Sequence, residues 1–349
     1  PMSTRKSFAR WILSAILALL LAGCSTGLRS QASTPIATSE EVPVISQSEL
    51  EEIIAGISQE YGVPAMAAAV VTDQGLQQAA AVGVRLWGDP TPVTLDDSWP
   101  IGSDTKIMTS ALASILVDQG KLSWDSTVSD MFPDIAAWID PGFKSVTLLQ
   151  LLSHRAGLPQ SRGELVELHS ASIQNQRAAA ARMALSQEPT NPPGTETRYS
   201  NVGYVIAGAM IERATGMDWE SAMEQYLFSP LGMASAGFGG LGTTGMVDQP
   251  WGHYQSSPPV VCCNGPAAAN NPLVLGPAGT VHCTIQDWAK FIADQLRGAR
   301  SESAFLSPQT YTMLLTNYGG DYSLGWALVE GDWAGGVAYQ HAGSNGIYY

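Results

Sequence analysis

Extended segments lie near both ends of this chain and helical ones fill its middle, and that order constrains the fold more than composition does. Residues 65–72 are apolar and partly β-branched, Asp73-Gln74-Gly75 is turn chemistry, and residues 76–86 return as a second strand. Residues 322–329, a turn at Glu330-Gly331-Asp332 and residues 336–341 repeat the pattern at the other end. Helical periods occupy 47–61, where Leu50, Ile53, Ile54 and Ile57 share a face, then 107–117, 146–152, 172–186, 204–215, 218–228, 285–296 and 307–316. The expected class is therefore mixed α/β (α+β): one antiparallel sheet built from both chain ends and flanked by helices, plus a mainly helical region. Residues 237–277, rich in Gly, Pro, Ser and Asn, read as a long ordered excursion over the surface.

The amino end speaks to compartment. Arg5, Lys6 and Arg10 precede an apolar run at 11–21, too short to span a bilayer comfortably and shaped like a secretory signal. It ends in Leu21-Ala22-Gly23-Cys24, which resembles a bacterial lipobox, whose cleavage leaves the cysteine as a lipidated first residue. Residues 25–46 are Ser, Thr, Gln and Pro without apolar period, a flexible tether reaching on the order of 25 Å. The expected organisation is a signal at 1–24, a tether at 25–46 and a catalytic domain at 47–349, in an exported lipoprotein anchored to the membrane through Cys24 and facing the periplasm. Sequence-independent nucleic-acid binding is set aside, because the chain carries a net charge of −14 and its 17 basic residues are scattered. In an oxidising space a disulfide from Cys262 or Cys263 to Cys283 is expected, with one thiol left over. His282 beside Cys283 matches no zinc spacing, so no metal or cofactor is expected.

Chemistry enters at Ile101-Gly102-Ser103-Asp104-Thr105-Lys106, where an extended approach opens into a helix. A hydroxyl and an amine three residues apart in a first helical turn share a face. The amine can take the hydroxyl's proton once its pKa falls by roughly three units, about 4 kcal/mol, and burial and the helix's positive end both push that way. The spacing recurs at Ser3 and Lys6, so it marks no site alone. Two later segments add what is missing. Thr197-Arg198-Tyr199-Ser200-Asn201 presents a phenol and an amide to one side of an extended loop, able to relay a proton and hold a carbonyl or ammonium. His341-Ala342-Gly343-Ser344 follows on one strand, where Gly343 lets a substrate backbone lie close and the Ser344 N–H can join that of Ser103 as an oxyanion hole.

In this order the three segments resemble the serine β-lactamase and penicillin-binding superfamily, in the branch of class C β-lactamases, D-alanyl-D-alanine carboxypeptidases and family VIII esterases. Leu151-Leu152-Ser153-His154-Arg155-Ala156-Gly157-Leu158-Pro159, Pro193-Gly194, Ser229-Pro230-Leu231-Gly232-Met233 and Pro277-Ala278-Gly279 also look like recurring segments of that branch. The resemblance implies a β-lactamase/transpeptidase-like fold, an acyl-enzyme on Ser103, proton work shared by Lys106 and Tyr199, and a site ordered by Asn201. His154 and Gly157 are expected only to shape a turn beside the site. The family strand carrying the third motif is followed by further strands and a helix, so the domain is expected to be incomplete after Tyr349. Many relatives carry Lys-Thr-Gly in that motif, giving a charge and a hydroxyl that hold a substrate carboxylate. His341 and Ala342 replace both, which should weaken carboxylate recognition by about 1.5 to 3 kcal/mol. Hydrolysis of a small ester, amide or peptide is therefore expected ahead of β-lactam or D-alanyl-D-alanine hydrolysis, with a non-catalytic penicillin-binding sensor as the binding-module alternative.

Overall fold

The computed structural model of the protein describes residues 45–160, 172–268, 270–303 and 305–349. The signal segment with Cys24, and all but the last two residues of the tether, fall outside them. Helix α1, Gln47–Tyr61, begins where Ser46 and Glu49 cap each other reciprocally and ends at Gly62, in the left-handed conformation that glycine adopts without strain. Its Leu50 and Ile54 pack with Ala80 of the hairpin that follows, strands β1 (Ala65–Thr72) and β2 (Gly75–Gly83).

Strand β3, Ser98–Pro100, leads through a 3₁₀ turn at Gly102–Asp104 into helix α2, Thr105–Asp118. Every residue of α2 from Thr105 to Leu116 is buried, because its polar members are small or bonded to neighbouring segments and the rest are apolar all round. Helices α3 (Leu148–Leu152), α4 (Ile173–Leu185), α5 (Asn201–Thr215) and α6 (Trp219–Met223) share one hydrophobic core with it, and α5 is buried from Val202 to Glu212. The expected excursion contributes short strands β4 (Gly237–Phe238), β5 (His253–Tyr254) and β6 (Val260–Val261). Strand β7, Val281–Thr284, is the middle of a three-stranded antiparallel sheet in the order β3-β7-β4, while β5 and β6 pair with each other. Helix α7, Ile285–Ala299, packs on β1 and β2, and helix α8, Pro308–Leu315, follows. Strands β8 (Ala327–Gly331) and β9 (Gly336–Gln340) close the described chain as an antiparallel pair. No helix among the described residues is long and apolar enough to cross a membrane.

The mixed α/β class holds, with helices around antiparallel sheets, but two expectations are corrected. The terminal strands do not form one sheet among the described residues: β1 pairs with β2 and β8 with β9, as separate two-stranded ladders. Alternation and turn residues specify which segments are extended, whereas which edges meet is a tertiary matter that they do not encode. The disulfide joins Cys262 to Cys263, and Cys283 is the free thiol. Cys283 lies on the central strand β7 with its side chain in the main core, away from the β5–β6 hairpin that carries the pair.

Candidate active site

The 3₁₀ turn and the start of α2 are tied to the segment before β7. Ile101 N–H donates to Val281 O at 3.0 Å, Val281 N–H to Thr105 Oγ1 at 3.1 Å, and Thr109 Oγ1 to Pro277 O at 2.8 Å. Ser103 therefore sits in the 3₁₀ turn rather than in the helix proper, two residues before α2 begins, and Lys106 is the helix's second residue. The three-residue separation still brings them together: Lys106 Nζ lies 3.0 Å from Ser103 Oγ and donates to Ala278 O at 2.6 Å.

Lys106 is fully buried, and burial lowers its pKa to about 7 against the opposing pull of the Asp104 carboxylate. Its ammonium sits 4.8 Å from the centre of the Tyr199 ring. The Tyr199 hydroxyl is within hydrogen-bond reach of Ser103, and burial pushes its pKa up to about 12. Of the two groups around Ser103, the amine is thus the one able to be an unprotonated base near neutral pH, and the phenol the one that keeps its proton.

Tyr199 and Asn201 reach the site by a route the sequence did not suggest. Ser200, not Asn201, caps α5 by accepting from Gly203 N–H at 3.1 Å, and Asn201 is the first helical residue instead of part of an extended loop. The segment 154–160 holds this helix start: Arg198 N–H donates to His154 O and Asn201 N–H to Gln160 O, both at 2.8 Å. Ser200 N–H donates to His154 Nδ1 at 3.0 Å. His154 does shape a turn, with φ of 60°, and its buried ring also packs at a tilt against Tyr199 and Tyr322, with ring centres 4.5 Å and 4.6 Å apart. Burial, with Lys106 and His341 nearby, drives its pKa well below the usual histidine value, so the ring is neutral with its proton on Nε2.

The third motif closes the site from the carboxyl end. A cleft of about 80 Å³ is lined by Ser103, Asn201, Asn271, Leu275, Ala278, Gly279 and Ser344, which brings the first, second and third motifs onto one cavity. Gly102, with φ of 51°, has no room for a side chain because a Cβ there would lie 2.4 Å from Ser344 N. A Cβ on Gly343 would lie 1.8 Å from Ile101 O, so this glycine admits the protein's own nucleophile turn, where a substrate backbone was expected. Ala342 is exposed, and the His341 side chain is only 5% exposed, bonded through Nδ1 to Asp104 and facing Tyr322 through Nε2. The sequence assigns no role to Asp104, Tyr322, Asn271 or Ala278. Asp104 lies inside the first motif, legible as a charge beside Ser103, and Ala278 inside the Pro277-Ala278-Gly279 segment, whereas nothing local distinguishes Tyr322 or Asn271.

A model of the beta-lactamase family matches residues 50–349. Penicillin-binding protein 4 of Amycolatopsis lactamdurans is 28% identical over 324 residues, 85% of this chain and 78% of that protein. The octameric penicillin-binding protein homologue of Pyrococcus abyssi superposes with a TM-score of 0.70 over 87% of this chain and 69% of its own, at 22% identity, a likeness of fold. The D-alanine carboxypeptidase AmpC of Burkholderia cenocepacia superposes with a TM-score of 0.63 at 25% identity, over 81% of this chain and 74% of its own.

Proposed function

We infer the chemistry from one premise, that the chain belongs to the beta-lactamase family: it is a serine hydrolase working through an acyl-enzyme, and Ser103 is the nucleophile. The observation that carries the assignment is the buried Lys106 amine, 3.0 Å from Ser103 Oγ, with a pKa lowered to about 7. Neutral Lys106 takes the Ser103 proton as Oγ attacks the acyl carbonyl, and the backbone N–H groups of Ser103 and Ser344 receive the oxyanion. The proton returns through Lys106 and the Tyr199 hydroxyl to the leaving alcohol or amine. Water then attacks the acyl-enzyme with Lys106 again as base, releasing the acid and restoring Ser103.

The substrate class follows from the third motif. With Ala342 offering no hydroxyl and both ring nitrogens of His341 engaged inside the protein, the site lacks the fixed charge and hydroxyl that hold a carboxylate. We assign it to a small ester, or an amide or peptide without a carboxylate at that place, in preference to a β-lactam or a terminal D-alanine. Residues 5–24 support export, with Cys24 as the lipid-bearing residue outside the inner membrane. The purified protein should turn over p-nitrophenyl butyrate with a kcat/KM at least about tenfold above that for a chromogenic cephalosporin, the lower end of what a lost charged hydrogen bond costs. The reverse ranking would return the chain to the β-lactamases, and binding of either probe without release would make it a sensor.

A further inference from the structure

The imidazole of His341 belongs to the protein's own framework. Its Nδ1 donates to Asp104 Oδ1 at 2.9 Å, across 237 residues of sequence, and its Nε2 lies 3.3 Å from the Tyr322 hydroxyl. With one ring nitrogen committed to each neighbour, no N–H is left for a substrate. The two segments that this pair links carry the two amides of the oxyanion site, Ser103 on the nucleophile turn and Ser344 on the segment after β9. They are in contact at Gly102 and Gly343, where neither backbone can move closer, and the Asp104–His341 hydrogen bond ties them across that contact.

We propose that Asp104 is a positioning residue, acting through His341 to clamp the segment bearing Ser344 onto the turn bearing Ser103 and so to set the spacing of the oxyanion donors. The proposal rests on Ser103 being the nucleophile. A displacement of the order of 1 Å in such a site costs about 10²-fold in rate, so a clamp of one hydrogen bond can matter this much. Asp104 has a second effect that must be separated from the first. Its charge faces Lys106 and favours the ammonium, opposing burial. The other titratable groups around Asp104, Lys106 and His341 are Tyr199, Tyr204, Tyr322, Cys283 and His154, each buried and neutral near pH 7.

Two substitutions divide the roles. Asp104→Asn removes the charge but keeps an oxygen that accepts from His341 Nδ1, whereas Asp104→Ala removes both. With p-nitrophenyl butyrate, D104A should lose about 10²-fold in kcat at nearly unchanged KM, while D104N stays within about threefold of wild type. Both should move the acid limb of kcat/KM to lower pH by the same amount, because both remove the charge. His341→Asn, whose amide nitrogen takes the place of Nδ1, should likewise outperform His341→Ala. This second pair decides the matter if D104A melts before assay temperature. Equal loss in D104N and D104A, or no loss in either, would overturn the clamp while leaving the nucleophile intact. A wild type that acquires no fluorophosphonate adduct on Ser103 would instead overturn the reading beneath it.

Discussion

Lys106→Met is expected to lower the kcat for ester hydrolysis by on the order of 10²- to 10⁴-fold, the range for loss of a general base, and to remove the acid limb near pH 7 from whatever activity remains. In the wild type, activity should fall about tenfold per pH unit below that limb, as the amine takes up the proton that disqualifies it as a base. The same substitution has a signature in stability. The lysine's pKa is about 7 when folded and 10.5 in the reference state, so between those values the unfolded chain holds a proton that the folded chain lacks. Stability then rises with pH, at up to about 1.4 kcal/mol per unit from this group, and is lost again as pH falls towards 7. K106M has no such group and should lack that part of the slope. Ala278 O loses its partner in the variant, at a cost of about 1 to 3 kcal/mol, so the slope between pH 7 and pH 9 in denaturant unfolding is the informative quantity. A K106M protein that keeps both the rate and the limb would remove Lys106 from the chemistry.

Arg177→Ala should give the largest loss of stability, about 3 to 5 kcal/mol. The guanidinium is fully buried between three helices. It donates to Glu212 Oε1 at 2.6 Å, to both oxygens of Glu220, and to Leu273 O at 2.9 Å. Burial raises the pKa of Glu212 even with the arginine present. Without Arg177 the buried Glu212 and the partly exposed Glu220 are left without that counter-charge, and Glu212 is driven to take up a proton. A carboxyl whose folded pKa is raised favours the folded state at low pH and loses that advantage as pH climbs. The cost of R177A should therefore be smaller at pH 5 than at pH 7.5. Replacing Arg177, Glu212 and Glu220 together with apolar residues should cost less than R177A alone, since it strands no charge. Urea midpoints at the two pH values measure both, and a loss under about 1 kcal/mol for R177A would mean the cluster is hydrated or rearranged.

What the sequence made legible is what short-range physics encodes. The bounds of α1 at 47–61 and β1 at 65–72 coincide with the periodicity, because a capping box and Gly62 at one, and a turn at the other, are local signals. Ser103 and Lys106 met as their spacing required, and the order of the three motifs found Tyr199, Asn201 and Ser344. The contacts that were missed involve distance. The Asp104–His341 bond spans 237 positions and the Lys106–Ala278 bond 172, so no window of sequence contains either. Gly343 does mark a close approach, but to Ile101 and not to a substrate, since the residue type reports that something is near without saying what. The disulfide to Cys283 expected of an oxidising space does not form, because the strand that carries Cys283 turns its side chain into the core.

Turnover by this mechanism requires an acyl group carried by Ser103. A slowly deacylating p-nitrophenyl ester, quenched in acid after seconds and examined by mass spectrometry, tests it most directly. The prediction is an acyl mass on tryptic peptide 86–106 that localises to Ser103, rises to a plateau as the burst of p-nitrophenol release gives way to its steady rate, declines over minutes once the ester is exhausted, and is absent from Ser103→Ala. Steady turnover with no adduct on that peptide, or an adduct that forms equally in Ser103→Ala, would contradict it.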